Sequence, residues 1–212
     1  MTKTYRYLIA GVVAAAGFAG AASAASLVQN GSFEDVAMLA GGGLNHGNFG
    51  IYAAIPGWTK DTGAGIELQN NATLSTANAQ DGNWYVELDS NNNSSMYQDI
   101  TFAKAGSYML SFWYAPRTST PGDNGISYSL GGSVSGLIDA VYPAGWTNVQ
   151  KQFTVANDGE ILRLRFAAEG INNSYGGFVD NVSVAAVPLP AAGLLLMGAL
   201  GGLAALRRRR GA

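Results

Sequence analysis

A strand pattern is clearest in Tyr108-Met109-Leu110-Ser111-Phe112-Trp113-Tyr114. Successive side chains of a β-strand point to opposite faces, so every second residue from Tyr108 to Tyr114 shares one face. That face carries only aromatic and aliphatic side chains, which predicts contact with a hydrophobic core. Trp113 belongs to the opposite face and is expected on the outside of the sheet.

The same alternation recurs on both sides of this segment. Residues 84–89 place Trp84, Val86 and Leu88 on one face and leave Tyr85, Glu87 and Asp89 on the other, and residues 162–166 place Leu162, Leu164 and Phe166 inward with Arg163 and Arg165 toward solvent. Further strands are predicted at residues 95–102, 126–130, 149–155 and 178–184, separated by stretches rich in Gly, Asn, Asp and Pro. About eight short strands and no long helical period predict an all-β fold, an antiparallel jelly-roll β-sandwich.

Charge is distributed unevenly along the chain. Of the 12 Lys and Arg residues, two lie near the N-terminus and four at residues 207–210, so six remain between residues 25 and 186 against all 14 acidic residues, a net charge of −8. A domain this acidic, without a basic patch, is not expected to bind nucleic acid, which requires Lys and Arg to neutralise phosphates. The chain has no cysteine, which excludes disulfides and thiolate metal sites.

The N-terminus has the features of an export signal. Lys3 and Arg6 precede an apolar run over residues 7–22, and Ala22-Ser23-Ala24 supplies the small residues that signal peptidase accepts. These features predict a signal peptide over residues 1–24, in the form of a helix that is cleaved after Ala24. A retained transmembrane helix is the alternative.

The C-terminus has the features of a short membrane helix. Val187-Pro188-Leu189-Pro190-Ala191 precedes an apolar stretch that ends in four arginines at residues 207–210. A helix from residue 191 to residue 206 spans roughly 24 Å, slightly less than a hydrocarbon core of about 30 Å, although arginines can extend to the boundary. The positive-inside rule keeps the arginines in the cytoplasm and predicts that residues 25–186 lie outside.

Together, the proline pair, the short apolar helix and the arginine cluster at residues 187–210 resemble the PEP-CTERM class of sorting tails, in its Val-Pro-Leu-Pro-Ala variant. The resemblance implies that residues 187–212 anchor the protein in the inner membrane of a Gram-negative bacterium. It further implies recognition by an exosortase-type sorting protease and delivery to the cell surface or extracellular matrix. A plain C-terminal anchor is the alternative.

Motifs within residues 25–186 resemble galactose-binding-like jelly-roll modules. They are, in order, Leu27-Val28-Gln29-Asn30-Gly31-Ser32-Phe33-Glu34, Ile55-Pro56-Gly57-Trp58, Tyr85-Val86-Glu87-Leu88-Asp89-Ser90, Tyr97-Gln98-Asp99-Ile100 and Gly176-Gly177-Phe178-Val179-Asp180-Asn181-Val182-Ser183-Val184. Such modules are similar to carbohydrate-binding modules and to plant cell-wall DUF642 domains. The motifs specify the fold better than a ligand, because this fold carries many unrelated sites.

One candidate site joins the two ends of this domain. Asp180 is expected to share a strand face with Val182 and Val184, which points its carboxylate toward covered structure, where an ionised group requires a cation or several hydrogen bonds. The resemblance to carbohydrate-binding modules implies a structural calcium ion held by the carbonyl of Ser32 and by Glu34 and Asp180, which are oxygen ligands that calcium accepts. The alternative is that both acids bond to turns.

A sugar site requires aromatic rings that stack on the apolar faces of a pyranose and polar groups that bind its hydroxyls. The candidates for stacking are Trp113, Tyr85, Trp146 and Tyr175, and the candidates for polar partners are Arg117, Asn124, Glu87 and Asp89. Trp58 and Trp84 are expected to pack inside the domain. Glu87 and Asp89, two residues apart on one face, have the spacing of a glycosidase acid pair, but we interpret them as an ordinary exposed pair.

The sequence therefore predicts an exported, surface-sorted, non-catalytic protein that binds or organises extracellular polysaccharide. The alternative is a structural matrix or adhesion protein without a specific sugar site. A small glycan-active enzyme is a weaker alternative. Its test is the release of reducing sugar and the loss of that activity in Glu87→Gln.

Overall fold

The computed structural model describes residues 24–74 and 77–188. Apart from a residue or two at their inner ends, the predicted signal peptide and sorting tail lie outside the described residues, and both stay predictions. Across the part of the chain that is described, no helix is both long and apolar enough to cross a bilayer. Residues 24–187 form one compact unit.

Within these residues the chain forms twelve strands and one short 3-10 turn at Ala40–Gly43. The strands are β1 (Gly50–Tyr52), β2 (Ala54–Ile55), β3 (Trp58–Thr62), β4 (Ile66–Asn70), β5 (Trp84–Glu87), β6 (Ser95–Phe102), β7 (Gly106–Ala115), β8 (Ile126–Leu130), β9 (Val134–Ile138), β10 (Thr147–Val155), β11 (Glu160–Ala168) and β12 (Phe178–Ala186). They make two six-stranded antiparallel sheets. The first sheet has the order β1-β4-β5-β12-β7-β10 and the second β2-β3-β6-β11-β8-β9.

The hydrophobic core lies between the two sheets and confirms the alternation expected on β7. Tyr108, Leu110, Phe112 and Tyr114 are all buried, and the ring of Phe112 packs edge-on against Phe166 of the opposite sheet at a centroid distance of 5.0 Å. Ring pairs of this kind add to the stability that apolar burial supplies. The predicted all-β jelly-roll sandwich is confirmed.

The outer side of the second sheet also matches its prediction. Arg163 and Arg165 of β11 point to solvent and form ion pairs with Asp99 and Asp61, each at 2.8 Å. Leu164, between them, is buried in the core. The predicted burial of Trp58 and Trp84 is likewise confirmed, at 1% and 8% exposure.

The interpretation of Glu87 and Asp89 as an exposed pair is wrong. Both side chains are fully buried, as is Tyr85 on the same face of β5. Alternation places them correctly on the side of the first sheet that faces away from the core. That side is itself covered by loops, so the strand is buried on both faces.

The prediction that Asp180 shares a face with Val182 and Val184 is also wrong, because β12 contains an irregularity. The pairing of β12 with β7 shifts between Asp180 and Ser183, and Asn181 has a positive φ of 47°. A β-bulge of this kind inserts a residue and reverses the alternation beyond it. Val182 and Val184 therefore reach the core, whereas Asp180 shares the outer face of the sheet with Phe178.

The N-terminal segment runs beside β12. Leu27 N–H donates to the carbonyl of Val184 at 2.7 Å, and Val182 N–H donates to the carbonyl of Gly31 at 2.8 Å. The two ends of the domain are therefore hydrogen-bonded to each other. This brings the N-terminal Asn-Gly-Ser-Phe-Glu motif next to the strand that carries Asp180.

Candidate functional site

The outer face of the first sheet is covered by a second, smaller apolar cluster. Buried Tyr85, Ala115 and Phe178 form its centre, and partly buried residues pack on them from loops, namely Leu74, Ala77, Ala79 and Trp146. The ring of Tyr85 meets Phe178 edge-on at 5.0 Å and Trp146 at 6.1 Å. These loops turn an open sheet surface into a set of clefts.

Next to this cluster, Arg117 packs among the loops that cover the outer face of the first sheet. It belongs to the segment that follows β7. Its guanidinium forms an ion pair with Glu87 and lies over the ring of Tyr175, with 4.6 Å from Cζ to the ring centroid. The Arg117 side chain is 19% exposed, whereas that of Glu87 is wholly buried. Arg117 therefore links a buried carboxylate below it to an exposed aromatic ring above it.

Both carboxylate oxygens of Glu87 are bonded to the protein. Oε1 accepts the N–H of Gly176 at 2.6 Å, and Oε2 accepts from Arg117 and from Nε2 of Gln69. Burial raises the pKa of Glu87 above its usual range, and the charge of Arg117 opposes that rise. These bonds hold Gly176, Arg117 and Gln69 around the Glu87 carboxylate, so Glu87 has a structural role in the site.

A second carboxylate, Glu67, stands directly opposite Glu87 in the pairing of β4 with β5. Its Oε1 accepts from Gln69 Nε2 at 2.8 Å, so one amide nitrogen joins the two acids. Burial raises the pKa of Glu67, and the bond from Gln69 opposes this. Unlike Glu87, Glu67 lines an open cleft.

Three clefts meet at Leu74 and Arg117. The Glu67 cleft, of about 200 Å³, is lined mainly by polar groups, among them Glu67, Gln69, Ser90 and Ser174, with Phe49 at its side. The Trp146 cleft, of about 350 Å³, is mainly apolar and is lined by Trp146, Phe178, Tyr142 and Ala115. A shallower groove of about 450 Å³ passes between Tyr142 and Tyr175.

Several buried polar atoms at this face have no hydrogen-bond partner among the described residues. They are Gln69 Oε1, Tyr85 Oη, Ser90 Oγ and Asp89 Oδ1. Because an unpaired buried polar group costs free energy, such atoms indicate places where a ligand or water completes the bonding. Gln69 and Ser90 belong to the lining of the Glu67 cleft.

The residues predicted for sugar binding are distributed over this face in different ways. Arg117 and Tyr175 lie together at the groove, and Tyr85 lies fully buried beneath the cover. Trp113 is half-buried on the outer face between the backbones of Asp180 and Asn148, and it lines none of the three clefts.

Asn124 has a supporting position. Its Oδ1 accepts the N–H groups of Arg117 and Thr118, and its Nδ2 donates to the carbonyls of Thr118 and Ala140. The amide is fully used in these four bonds and is completely buried. Asn124 therefore fixes the loop that carries Arg117, and no group on it is left for a hydroxyl.

The residues implied for calcium lie around the turn at residues 80–84. Asp180 Oδ2 accepts the N–H groups of Gln80 and Asp81 at 2.7 and 3.0 Å, and Glu34 Oε1 accepts those of Asn83 and Trp84, both at 2.7 Å. Gly82 has a φ of 71°, and a Cβ there would lie 2.5 Å from the Glu34 carboxylate. Both acids thus bond to one turn, as the alternative interpretation expected.

The chemistry of this donor set also fits a calcium ion. Asp180 is completely buried, burial raises its pKa to about 7 against the opposing backbone N–H bonds, and none of the salt bridges formed by the described residues involves it. A buried carboxylate of this kind is stabilised by a cation with oxygen ligands. Within residues 24–74 and 77–188, no three His, Cys, Asp or Glu side chains are arranged so that they could hold a metal ion by themselves. A calcium ion here would therefore need backbone oxygens such as that of Ser32.

Sequence reasoning missed Glu67, Gln69 and Phe49. Residues 66–70 alternate Ile-Glu-Leu-Gln-Asn, which is a strand signal that could have placed Glu67 and Gln69 on one face. Their meeting with Glu87 depends on the pairing of β4 with β5, which no local pattern encodes. Phe49 lies in a loop without periodicity and gave no signal.

No protein-family model matches the chain, and no curated protein matches it. Among solved structures, the family 61 carbohydrate-binding module TmCBM61, in complex with β-1,4-galactotriose, is 18% identical, with a TM-score of 0.51 over 76% of this chain and 99% of the module. A cyclase from Fischerella sp. TAU is 16% identical, with a TM-score of 0.54 over 78% of this chain and 100% of the cyclase. At these identities the likeness shows a shared jelly-roll fold, which carries both a binding module and an enzyme.

Proposed function

We propose that the domain binds polysaccharide in the clefts around Arg117, on the outer face of the first sheet. The observation that carries this proposal is the cover over that face, which encloses polar atoms without partners beside aromatic rings. Phe49, Tyr175 and Trp146 supply ring surfaces, and Gln69 and Ser90 supply unpartnered polar atoms. Rings for the apolar faces of a sugar and polar groups for its hydroxyls are the components of a carbohydrate site.

The contacts of Glu87 support a binding role without catalysis. A general acid or nucleophile has to reach the substrate, whereas both oxygens of Glu87 are held by Gly176, Gln69 and Arg117. Release of reducing sugar from a bound polysaccharide, lost in Glu67→Gln or Glu87→Gln, would contradict this assignment and favour the glycan-active alternative.

The test is affinity electrophoresis on the source bacterium's exopolysaccharide and calorimetric titration with β-1,4-galactotriose, the ligand in the TmCBM61 structure. Removal of the exposed ring in Tyr175→Ala should weaken binding roughly fivefold, because a stacked ring contributes about 1 kcal/mol. We expect Trp113→Ala to have a smaller effect, since Trp113 lies outside the clefts.

Tyr97→Ala is the matched control. Tyr97 lies on the second sheet beneath Arg163, with Cζ of Arg163 3.7 Å from the ring centroid, so it is also a tyrosine in contact with an arginine. Its loss should leave sugar binding unchanged. Equal effects of the two variants, or no retention on any polysaccharide, would favour a matrix protein without a sugar site.

We further propose that calcium stabilises the domain where its two ends meet. Glu34, Asp180 and the Ser32 carbonyl would hold the ion, which would balance the buried charge of Asp180. A chelator should therefore lower the melting temperature of the wild type, and added calcium should restore it. Asp180→Asn should melt at a temperature that the chelator does not change. An unaltered wild-type melting temperature would overturn the proposal.

Finally, we propose that both ends of the chain serve transport. The signal peptide would be removed after Ala24, and an exosortase-type protease would process the tail at residues 187–212 at the inner membrane. Mass spectrometry of the protein isolated from cells should give an N-terminus at Ala25, and a smaller mass in cells with the sorting protease than in cells without it. An intact chain in the cytosol would contradict export.

A further inference from the structure

The side-chain amide of Gln69 has a fixed orientation. Its Nε2 donates to Glu67 Oε1 at 2.8 Å and to Glu87 Oε2 at 2.5 Å. An amide nitrogen has two N–H donors, and each of them is used by one of the two acids. Gln69 Oε1 is consequently an acceptor that bonds to neither Glu67 nor Glu87, and it is buried without a partner among the described residues.

The Glu67 cleft contains acceptors that no donor of the described residues uses. Oε1 of Gln69 and Oγ of Ser90 are unpartnered, on side chains only 1% and 2% exposed. Glu67 uses Oε1 for Gln69, which leaves Oε2 without a donor among the described residues. A ligand that fits this cleft has to bring hydrogen-bond donors.

The charged groups at the cleft also favour a ligand that carries a positive charge. Glu67 and Glu87 face each other across β4 and β5, and Asp89 is buried just beyond β5. In the described part of the chain the balancing cation is Arg117, whose guanidinium contacts Glu87. Glu67 therefore has no cationic partner of its own, and a negatively charged sugar would be repelled.

We propose that the Glu67 cleft recognises an amine-bearing sugar, with the ammonium group of a 2-amino-2-deoxyhexose unit placed at Glu67 Oε2 and Gln69 Oε1. An ammonium group has three donors and no acceptor. It therefore suits the unused acceptors Glu67 Oε2 and Gln69 Oε1. Phe49, one face of whose ring stacks on His46, lines the cleft and supplies an apolar surface for the sugar. This inference rests on the proposed polysaccharide binding and names its substrate class.

The test compares short oligosaccharides of glucosamine and of N-acetylglucosamine of equal length, which differ only in the acetyl groups on nitrogen. Calorimetric titration of the purified full chain is carried out below the pKa of the sugar amine, where the amine is protonated. The glucosamine oligomer should bind at least about tenfold more tightly, and oligogalacturonate should bind most weakly.

Glu67→Gln keeps the size of the side chain and should abolish the preference for the amine. Asp99→Asn is the matched control, because it removes one negative charge from the second sheet, at a residue that lines none of the three clefts, and should keep the preference. Equal loss in both variants would show attraction by net charge alone and would overturn the inference.

The remaining outcomes separate the two proposals. Tight binding of β-1,4-galactotriose with no preference for the amine would overturn the inference and leave polysaccharide binding standing. Preference for oligogalacturonate would do the same. If no sugar bound at all, both proposals would fail.

Discussion

Glu87 illustrates how a single residue can be placed on the correct face and still be misinterpreted. Alternation with Val86 and Leu88 put it opposite the core, and a sheet with one solvated face would have exposed it. The structure buries it because Arg117, Ser174 and Gly176 arrive from loops far along the chain. Local periodicity carries no information on such contacts, so the candidate site was predicted through single residues such as Arg117 and Tyr175 and not through the pairing of Glu67 with Glu87.

The ion pair of Arg117 with Glu87 gives a prediction on stability. Burial raises the pKa of Glu87 to about 8 even with Arg117 beside it. Arg117→Met keeps the bulk of the stem but leaves Glu87 buried without a counter-charge, so we expect a loss of about 3–5 kcal/mol in the free energy of unfolding above that pH, where the wild-type carboxyl is ionised. Without Arg117 the folded-state pKa of Glu87 rises further above its unfolded value. Stability is then retained at acid pH, where the carboxyl is protonated, and is lost as the pH rises.

Urea denaturation of the wild type and the variant at acid pH and at alkaline pH, below and above the Glu87 pKa of about 8, checks this. Lys104→Met is the matched control, since the Lys104 side chain is 80% exposed in its ion pair with Asp158 and exposed pairs contribute little. Arg117→Met with the same deficit at both pH values would contradict a buried, ionised Glu87.

At the scale of elements, the long strands could be predicted and the short ones could not. β6 and β8 have the predicted first and last residues, because five to eight alternating residues give a clear period. β1 and β2 have three and two residues, too few for any period. In β9, Val134 and Ile138 pack against the core but Leu137 is exposed, so apolar residues occur on both faces and the alternation is lost in the sequence. The bulge in β12 reversed the expected side of Asp180, because bulges leave no mark in hydrophobicity.

The contact of the N-terminal segment with β12 gives a prediction at this scale. A Cβ on Gly31 would lie 2.0 Å from the carbonyl oxygen of Val182, a backbone atom that cannot move without shifting the strand. Gly31→Ala should therefore destabilise the domain by about 1–3 kcal/mol. Gly132→Ala, with nothing within 4 Å of its Cβ, is the control and should leave the melting temperature unchanged in thermal denaturation. Equal melting temperatures for the two variants would contradict the close packing.

Across the whole molecule, the two sheets have different outer faces. The second sheet carries paired charges such as Arg163 with Asp99, and the first sheet carries a covered surface with clefts. Composition predicted an acidic domain that does not bind nucleic acid. It could not predict that Glu67, Glu87 and Asp180 lie on the same outer face of the first sheet. That asymmetry is set by topology, since β4, β5 and β12 are neighbours only after the fold is complete.

The position of β12 determines how the domain would resist a force applied through its C-terminal end. β7 bonds to one side of this strand along most of its length, and β5 and then the N-terminal segment bond to the other. A pull on the chain beyond Val187 would therefore act on a strand clamped along both edges, which has to be sheared out as a unit. An outermost strand would peel one bond at a time.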